Sequence, residues 1–505
     1  MESSQAPERV DAEDGFRTPG LDIDRVMAQA AVAANAFRRL TQEQTDRIVA
    51  AVYRAGFNNR IRLAKEAWAE TQLGRWEDKV IKNVIATRYV FRDIKNLRTV
   101  GVIAEDKSQE VVEVAAPLGP IFAITPITNP TSTVLFKILI SMKSRNPIII
   151  RPHGAAARCS VEAARICAQA ALEAGAPEHC IQWIKRSTKE EALELMAHKQ
   201  TAMILATGSV SLVKAAARSG NPSIGIGPGN VPVYIGASAD VPFAAEQIVL
   251  SKTFDYGTVC ASEQAVVANR SNADEILLEF RKRRAHILNK EETRKLGSVA
   301  FDKDHKVMRV EVIGQPAAKI ARMAGIEVPD ETSVLIAPLD DVGPDTPLSM
   351  EILAPILAFY VADDFESAID LCRQINRLGG LGHTASIFSN NEERIRHFAS
   401  TMNAGRILVN TPASQGALGG TYNRLRPSLM LACGTSGKNN TTDNISARNL
   451  LNIHRIARRK VSPCIAPDFV PEYLDEANDA EAIERKCPDS CADRQDSIGE
   501  KILTV

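Results

Sequence analysis

With 505 residues, 45% hydrophobic and 24% charged, the chain has ordinary globular composition and is too long for one core, so two or three domains are expected. Lys plus Arg and Asp plus Glu balance at 61 each, which gives no electrostatic ground for a nucleic-acid or anionic-membrane partner. Nine cysteines scattered from Cys159 to Cys491 without a framework fit reduced thiols in a cytoplasm, and no apolar run reaches the ~18 residues of a membrane span.

Met1 to Gly20 carries five acids and no apolar stretch, so it does not read as a signal peptide. Residues 21–98 read as helices, with apolar residues at helical spacing from Val26 to Phe37 and from Gln42 to Glu66. Val100–Ile103 and Val111–Val114 are β-branched runs joined by the polar Glu105–Glu110, which predicts a hairpin.

Beyond Pro117-Leu118-Gly119-Pro120, strands and helices alternate. Strands are predicted at Ile121–Ile124, Pro147–Arg151, Cys180–Ile184 and Ala202–Ala206, with helices near 131–144, 155–174, 188–198 and 210–219. This alternation indicates an α/β fold with a parallel, doubly wound sheet, which binds ligands beyond the carboxyl ends of its strands. A second α/β block runs from about 236 to 430. It holds a helix at Phe243–Ser251, a strand at Gln264–Ala268 and a basic helix at Glu275–Asn289, whose Arg281-Lys282-Arg283-Arg284 reads as one solvated face. Later strands are expected at Ser333–Ile336, Ile356–Val361, Thr384–Phe388 and Gly405–Val409. Past Lys460 the chain is acidic and proline-interrupted, and is expected to be poorly ordered or draped on a neighbouring subunit. Cys487 and Cys491 form a close pair with no second pair or paired histidines nearby, so no metal site is expected.

Five places can carry chemistry. In Gly257-Thr258-Val259-Cys260-Ala261-Ser262 one cysteine sits among small residues, where a thiol with access and a lowered pKa would be a nucleophile; buried free cysteines of no catalytic use are also common. Thr207-Gly208-Ser209 joins a strand to a helix and offers backbone N–H groups to a pyrophosphate, or serves only as an N-cap. Asn129, between Thr128 and Pro130, is either a turn residue or an amide donor to an oxyanion. Glu351 opens an apolar stretch and can accept from ribose hydroxyls or be an edge charge. His153, in Arg151-Pro152-His153-Gly154, closes a strand where an adenosine ribose can lie, although a lone histidine is usually structural. Gly225-Ile226-Gly227-Pro228-Gly229 has the wrong spacing for the dinucleotide fingerprint and opens no helix.

These pieces resemble, in order and phrasing, the CoA-acylating branch of the aldehyde dehydrogenase superfamily. The resembling text includes Ile127–Ser132, Arg151–His153, Thr207-Gly208, Gly225–Pro232, Ser251–Gln264, Glu351–Pro355, Gly382-His383-Thr384, Thr411–Gly416 and Cys433-Gly434. The resemblance implies that Cys260 is the nucleophile and that Asn129 and the Cys260 N–H hold the oxyanion. It also implies that Thr128, Arg151, His153, Thr207, Gly208, Ser209, Gly229 and Glu351 surround the dinucleotide. Hydrolytic members carry a water-activating glutamate where Ile226 stands here, which implies that CoA is the acceptor. No acid lies near Arg151 and Arg158, which leans the cofactor toward NADP over NAD. Arg424 and Arg426, near the expected substrate entrance, can meet an anionic group such as a sulfonate, hold CoA phosphates or pair locally.

The resemblance further implies a Rossmann-type cofactor domain, with its helices in residues 1–98 and its sheet in residues 119–235, and an oligomerisation hairpin at 99–118. A catalytic domain at 236–430, a return segment at 431–460 and an acidic tail at 461–505 complete it. A homodimer or homotetramer acting on a small aldehyde, with sulfoacetaldehyde first and acetaldehyde or succinic semialdehyde as alternatives, is the expected form.

Overall fold

The computed structural model describes residues 21–106, 111–302, 307–459, 465 and 467–486. The sequence features at Met1–Gly20 and at Cys487 and Cys491 lie outside the described residues. The chain up to Val100 together with Ala116–Asn452 makes one unit, and Gly101–Ala115 with the chain from Ile453 onward makes another.

The helical start is built as α1 (Ile23–Phe37), α2 (Gln42–Asn58), α3 (Arg60–Thr71), α4 (Trp76–Val84) and α5 (Val90–Ile94). The single helix expected from Gln42 to Glu66 is two. Asn59 leaves helical geometry (φ −94°, ψ 6°), and its amide donates back to the Ala55 carbonyl at 2.9 Å. A π turn at Ile85–Tyr89 joins α4 to α5, a form that recurs at functional sites. The apolar faces of these helices, including Phe37, Ile48, Val52 and Leu63, share a core with Leu135, Phe136 and Leu139 of α6 (Pro130–Lys143).

In the smaller unit β1 (Gly101–Asp106) and β2 (Val111–Pro117) pair antiparallel, as the hairpin pattern predicts. Next come β3 (Ile121–Ile124), β4 (Ile148–Arg151), β5 (Ile181–Trp183), β6 (Met203–Thr207) and β7 (Ser223–Ile226). They form one parallel sheet in the order β5-β4-β3-β6-β7, with α7 (Ala157–Glu173), α8 (Lys189–Ala197) and α9 (Val210–Arg218) among the connections. The strand order reverses between β3 and β6, so the segments after Ile124 and Thr207 flank the crevice where such sheets take ligands.

The second sheet is parallel and seven-stranded. Its strands are β8 (Val231–Ile235), β9 (Glu263–Asn269) and β10 (His286–Ile287), then, after the small pair β11 (Phe301–Asp302) and β12 (Val307–Met308), β13 (Leu335–Pro338), β14 (Ile356–Ala362), β15 (Gly382–Phe388) and β16 (Ala404–Val409). The order is β10-β13-β14-β9-β8-β15-β16. Val231–Ile235 therefore sits in the second sheet, not in the first block, where a boundary after residue 235 would put it. It is buried throughout, hydrogen-bonded between β9 and β15, and the chain crosses between sheets at residues 227–230.

Helix α10 (Val241–Thr253), capped by Asp240, leads to the Cys260 loop. Helix α11 (Ala273–Lys282) stops seven residues before the expected Asn289, because Arg284 turns left-handed (φ 63°) to feed β10. Arg283 is past the helix, bonding Glu279 at 2.6 Å and the Pro242 carbonyl, so the basic run is not one solvated face. Met430, Ala432, Ile445 and Leu450 return to the core of the first sheet. Beyond residue 460, where the composition predicts poor order, the described residues include helices at Val470–Leu474 and Ala480–Lys486, the second started by Asp479 accepting the Ala482 N–H at 2.8 Å.

Candidate functional site

The loop that presents Cys260 begins with two left-handed residues, Asp255 (φ 48°, ψ 36°) and Tyr256 (φ 50°, ψ 44°). Each costs on the order of 1 kcal/mol for a non-glycine residue. What holds them is the Asp255 carboxylate, fully buried and surrounded by donors. It accepts from the Arg75 N–H (2.7 Å), Lys79 Nζ (2.9 Å), Thr258 Oγ1 (2.8 Å) and Lys82 Nζ, while the Asp255 N–H donates to Asp78 at 2.9 Å. Burial would raise this acid's pKa, but Lys79 and Lys82 outweigh it and hold it below the ordinary value. Gly74 makes room: it has φ 69°, and a Cβ there would overlap the Asp255 carboxylate.

A cavity of about 30 Å³ lies beside Cys260. Its lining combines the polar side chains of Lys82, Asn129, Thr133 and Thr207 with the apolar ones of Ile226, Val259, Leu418, Leu429 and Leu431. Cys260, Asn129, Thr207 and Ile226, which are far apart in sequence, thus meet at one place. Asn129 is the N-cap of α6 (φ −135°, ψ 52°); its Nδ2 donates to Thr128 Oγ1 at 3.0 Å and its Oδ1 accepts from Lys82 Nζ at 2.6 Å.

The expected lowering of the thiol pKa is not found. Burial pushes Cys260 up to about 12; Glu351 and Cys433 add to the rise, and Arg406 opposes it. A small-residue loop lowers no pKa by itself: the sign is set by what surrounds the sulfur. Arg406 is buried and donates to the carbonyls of His383 (2.7 Å), Ala432 (2.8 Å) and Thr442 (3.1 Å). Burial and Arg406 push His383 down to about 3, so its imidazole is neutral, with Nδ1 against Thr384 Oγ1 at 2.9 Å. Glu351 accepts the Gly229 N–H at 2.8 Å, and burial raises it to about 7.

A larger cleft of about 900 Å³ runs past the ends of β4 and β5. Arg151, Arg158, Lys185, Arg186, Glu70 and Glu162 line it, and Arg151 Nε donates to Ser187 Oγ at 2.8 Å. His153 is exposed and starts a 3-10 turn by accepting the Ala155 N–H at 3.3 Å; it is not among the residues lining the cleft. Glu70 corrects the reading that no acid lies near Arg158: reaching over from α3, it accepts the N–H groups of Arg158 (2.9 Å) and Cys159 (2.7 Å).

A dinucleotide fits the crevice between β3 and β6. Thr207 Oγ1 is buried without a hydrogen-bond partner, a Cβ on Gly208 would press on Leu212 at 2.9 Å, and Ser209 caps α9. Arg424 and Arg426 are exposed and line neither cavity, and Arg426 lies close enough to Asp93 to lower its pKa against the effect of burial. Sequence reasoning missed Lys82, Glu70 and the leucines of the apolar wall, whose positions follow only from the fold. Among the described residues no helix is long and apolar enough to cross a membrane, and no cluster of three or more His, Cys, Asp or Glu can hold a metal.

Residues 18–422 match the aldehyde dehydrogenase family. The chain is 40% identical over 447 residues to aldehyde-alcohol dehydrogenase 2 of Entamoeba histolytica, covering 87% of this chain and 51% of that one, so it spans about half that relative's length. It is 35% identical over 438 residues to the succinate-semialdehyde dehydrogenase (acetylating) of Clostridium kluyveri, covering 86% of this chain and 95% of the relative. The crystal structure of an acetylating aldehyde dehydrogenase from Geobacillus thermoglucosidasius superimposes with a TM-score of 0.85 at 42% identity, covering 87% of this chain and 97% of that one. Matched along most of its length in sequence and in fold, the chain belongs to the aldehyde dehydrogenase family.

Proposed function

We propose that the protein is a CoA-acylating aldehyde dehydrogenase, that Cys260 is its nucleophile, and that its substrate is a short uncharged aldehyde such as acetaldehyde. The observation that carries this is the small cavity that Cys260, Asn129 and Ile226 line together. The Cys260 sulfur adds to the carbonyl carbon, and the Asn129 amide and the Cys260 N–H take the developing oxyanion. The nicotinamide, when bound, supplies the acceptor for the hydride that leaves the thiohemiacetal carbon. The resulting Cys260 thioester faces Ile226, a side chain that activates no water, so it persists until the thiol of CoA displaces it and frees the Cys260 sulfur. Overall, aldehyde, CoA and oxidised cofactor give acyl-CoA, reduced cofactor and a proton.

Thr207, Gly208 and Ser209 would hold the pyrophosphate at the N-terminus of α9. Thr128 and Gly229 would flank the nicotinamide end, with Glu351 toward its ribose, and Arg151 and His153 would lie at the adenosine end. In the cleft at that end, Glu70 is engaged by α7 and Glu162 by Arg62 and Arg165, whereas Lys185 and Arg186 make no ion pair among the described residues. This surplus of free cation supports a 2′-phosphate, hence NADP over NAD. The apolar wall supports a small neutral aldehyde over sulfoacetaldehyde, since Arg424 and Arg426 stand outside the cavity. The exposed edges of the sheet formed by β1, β2 and Leu451–Ala457 are where a second copy would pair.

Absorbance of reduced cofactor tests the reading, with NAD and NADP run against acetaldehyde, succinic semialdehyde and sulfoacetaldehyde, with and without CoA. CoA-dependent reduction with acetaldehyde is expected. Sustained turnover without CoA overturns the acylating assignment, and a preference for sulfoacetaldehyde moves the specificity to the arginine loop.

A further inference from the structure

Asn129 can serve an oxyanion only if its NH2 edge, not its oxygen, faces the reacting carbonyl. A side-chain amide is close to symmetrical in shape, so something must choose the edge. In this protein the chooser is on α4. Lys82 Nζ lies 2.6 Å from Asn129 Oδ1, and an ammonium has donors only, so it can face the oxygen edge and not the NH2 edge. The Asn129 Nδ2 is thereby turned the other way, where it reaches Thr128 Oγ1 at 3.0 Å.

Lys82 is itself fixed from the nucleophile's side. Its Nζ donates to the Asp255 carboxylate and, at 2.9 Å, to Thr258 Oγ1, two residues before Cys260. The lysine is fully buried and lines the Cys260 cavity. The side chains Asp255, Lys82 and Asn129 thus form a rigid link from the loop that carries the sulfur to the amide opposite it.

We propose that Lys82 is a positioning residue for the oxyanion donor: it holds Asn129 by the amide oxygen and so fixes which edge of the amide faces the Cys260 cavity. This rests on the roles proposed above for Cys260 and Asn129. Lys82 touches no reacting atom and acts through Asn129. The charged groups around it are Lys79 and Asp78 on its own helix and Asp255 on the Cys260 loop; burial, the largest influence, brings its pKa down to about 8. Once neutral, the amine both donates and accepts, and it no longer discriminates between the two edges.

Single-turnover formation of reduced cofactor, which needs no CoA, is measured for the wild type, Lys82→Met, Asn129→Ala and the double variant. Lys82→Met is expected to slow hydride transfer by about 10- to 100-fold, a share of the ~10²–10³ lost with a whole oxyanion donor. Cofactor affinity should stay within about 3-fold, and the double variant should be no slower than Asn129→Ala alone. Multiplying effects in the double variant would overturn the inference. If Lys82→Met does not fold, the pH profile decides. The wild-type rate is expected to level off above pH about 8, where loss of the lysine proton offsets the growing thiolate fraction, whereas Asn129→Ala should keep rising; the same profile in both proteins overturns the inference. Cys260→Ala separates the two levels: if it turns over, the proposed function fails, whereas a dead Cys260→Ala with multiplying effects removes only the role of Lys82.

Discussion

The Glu351 carboxylate accepts the backbone N–H of Gly229 at 2.8 Å, and that glycine lies against the main chain of Cys260, so closely that a Cβ on it would overlap the Cys260 carbonyl oxygen. One residue therefore ties the segment between the two sheets to both the acid and the main chain of Cys260. Gly229→Ala is expected to push the Cys260 loop aside and lower kcat by at least ~10²-fold, the scale of an ångström-sized misplacement. Steady-state kinetics with circular dichroism on the folded variant checks it.

The thiol in the free protein should be sluggish. With Cys260 pushed up to about 12, its thiolate fraction rises tenfold per pH unit through the accessible range. Alkylation by iodoacetamide, read on the Cys260 peptide, should climb steadily to pH 10 without levelling. Glu351→Gln removes an anion that raises the thiol's pKa, so at pH 8 alkylation should be several-fold faster than in the wild type. A plateau near pH 8 in the wild type would contradict this.

Ile226→Glu puts a carboxylate on the cavity wall beside Cys260. CoA-independent reduction of cofactor, with free acid as product, is expected to rise several-fold above background. The buried carboxyl should also cost stability, on the order of 2 kcal/mol or more. Chromatographic assay of free acid against acyl-CoA gives the ratio.

Arg406 satisfies three carbonyls with a planar fork that a lysine cannot reproduce. Arg406→Lys is expected to cost about 3 kcal/mol, since at least one charged hydrogen bond is lost with its partner left buried. Urea unfolding measures it; a change below about 1 kcal/mol would mean the lysine finds equivalent partners.

Most of the parallel strands were legible because apolar, β-branched runs bounded by glycine and proline have few other uses, but β7, β8 and β10 were not expected from the sequence. The end of α11 was not. Arg281 to Arg284 are all adequate in a helix, and the stop at Lys282 comes from the pairing of His286 and Ile287 with β13, which no local signal announces. In the site, Cys260, Asn129 and Thr207 stood out as residue types with a known chemistry. Lys82 did not, since on a helix such a lysine looks like any solvated one. Its partners are 47 and 173 residues away. Glu70 hid for the same reason, 88 residues from Arg158. The direction of the thiol's pKa was hidden too, being decided first by burial, with Glu351 and Cys433 adding to the rise and Arg406 opposing it, each from a distant segment.

The left-handed pair at Asp255 and Tyr256 has a consequence for how the chain is made. Synthesis runs from the N-terminus, so Arg75, Lys79 and Lys82 leave the ribosome well before Asp255, Lys82 by 173 residues. By the time the acid emerges, its counter-ions are waiting on an already synthesised helix. The turn need not form around a lone buried charge, and a circular permutant that delivers α4 last should show later protection of the thiol during cell-free synthesis than the natural order does.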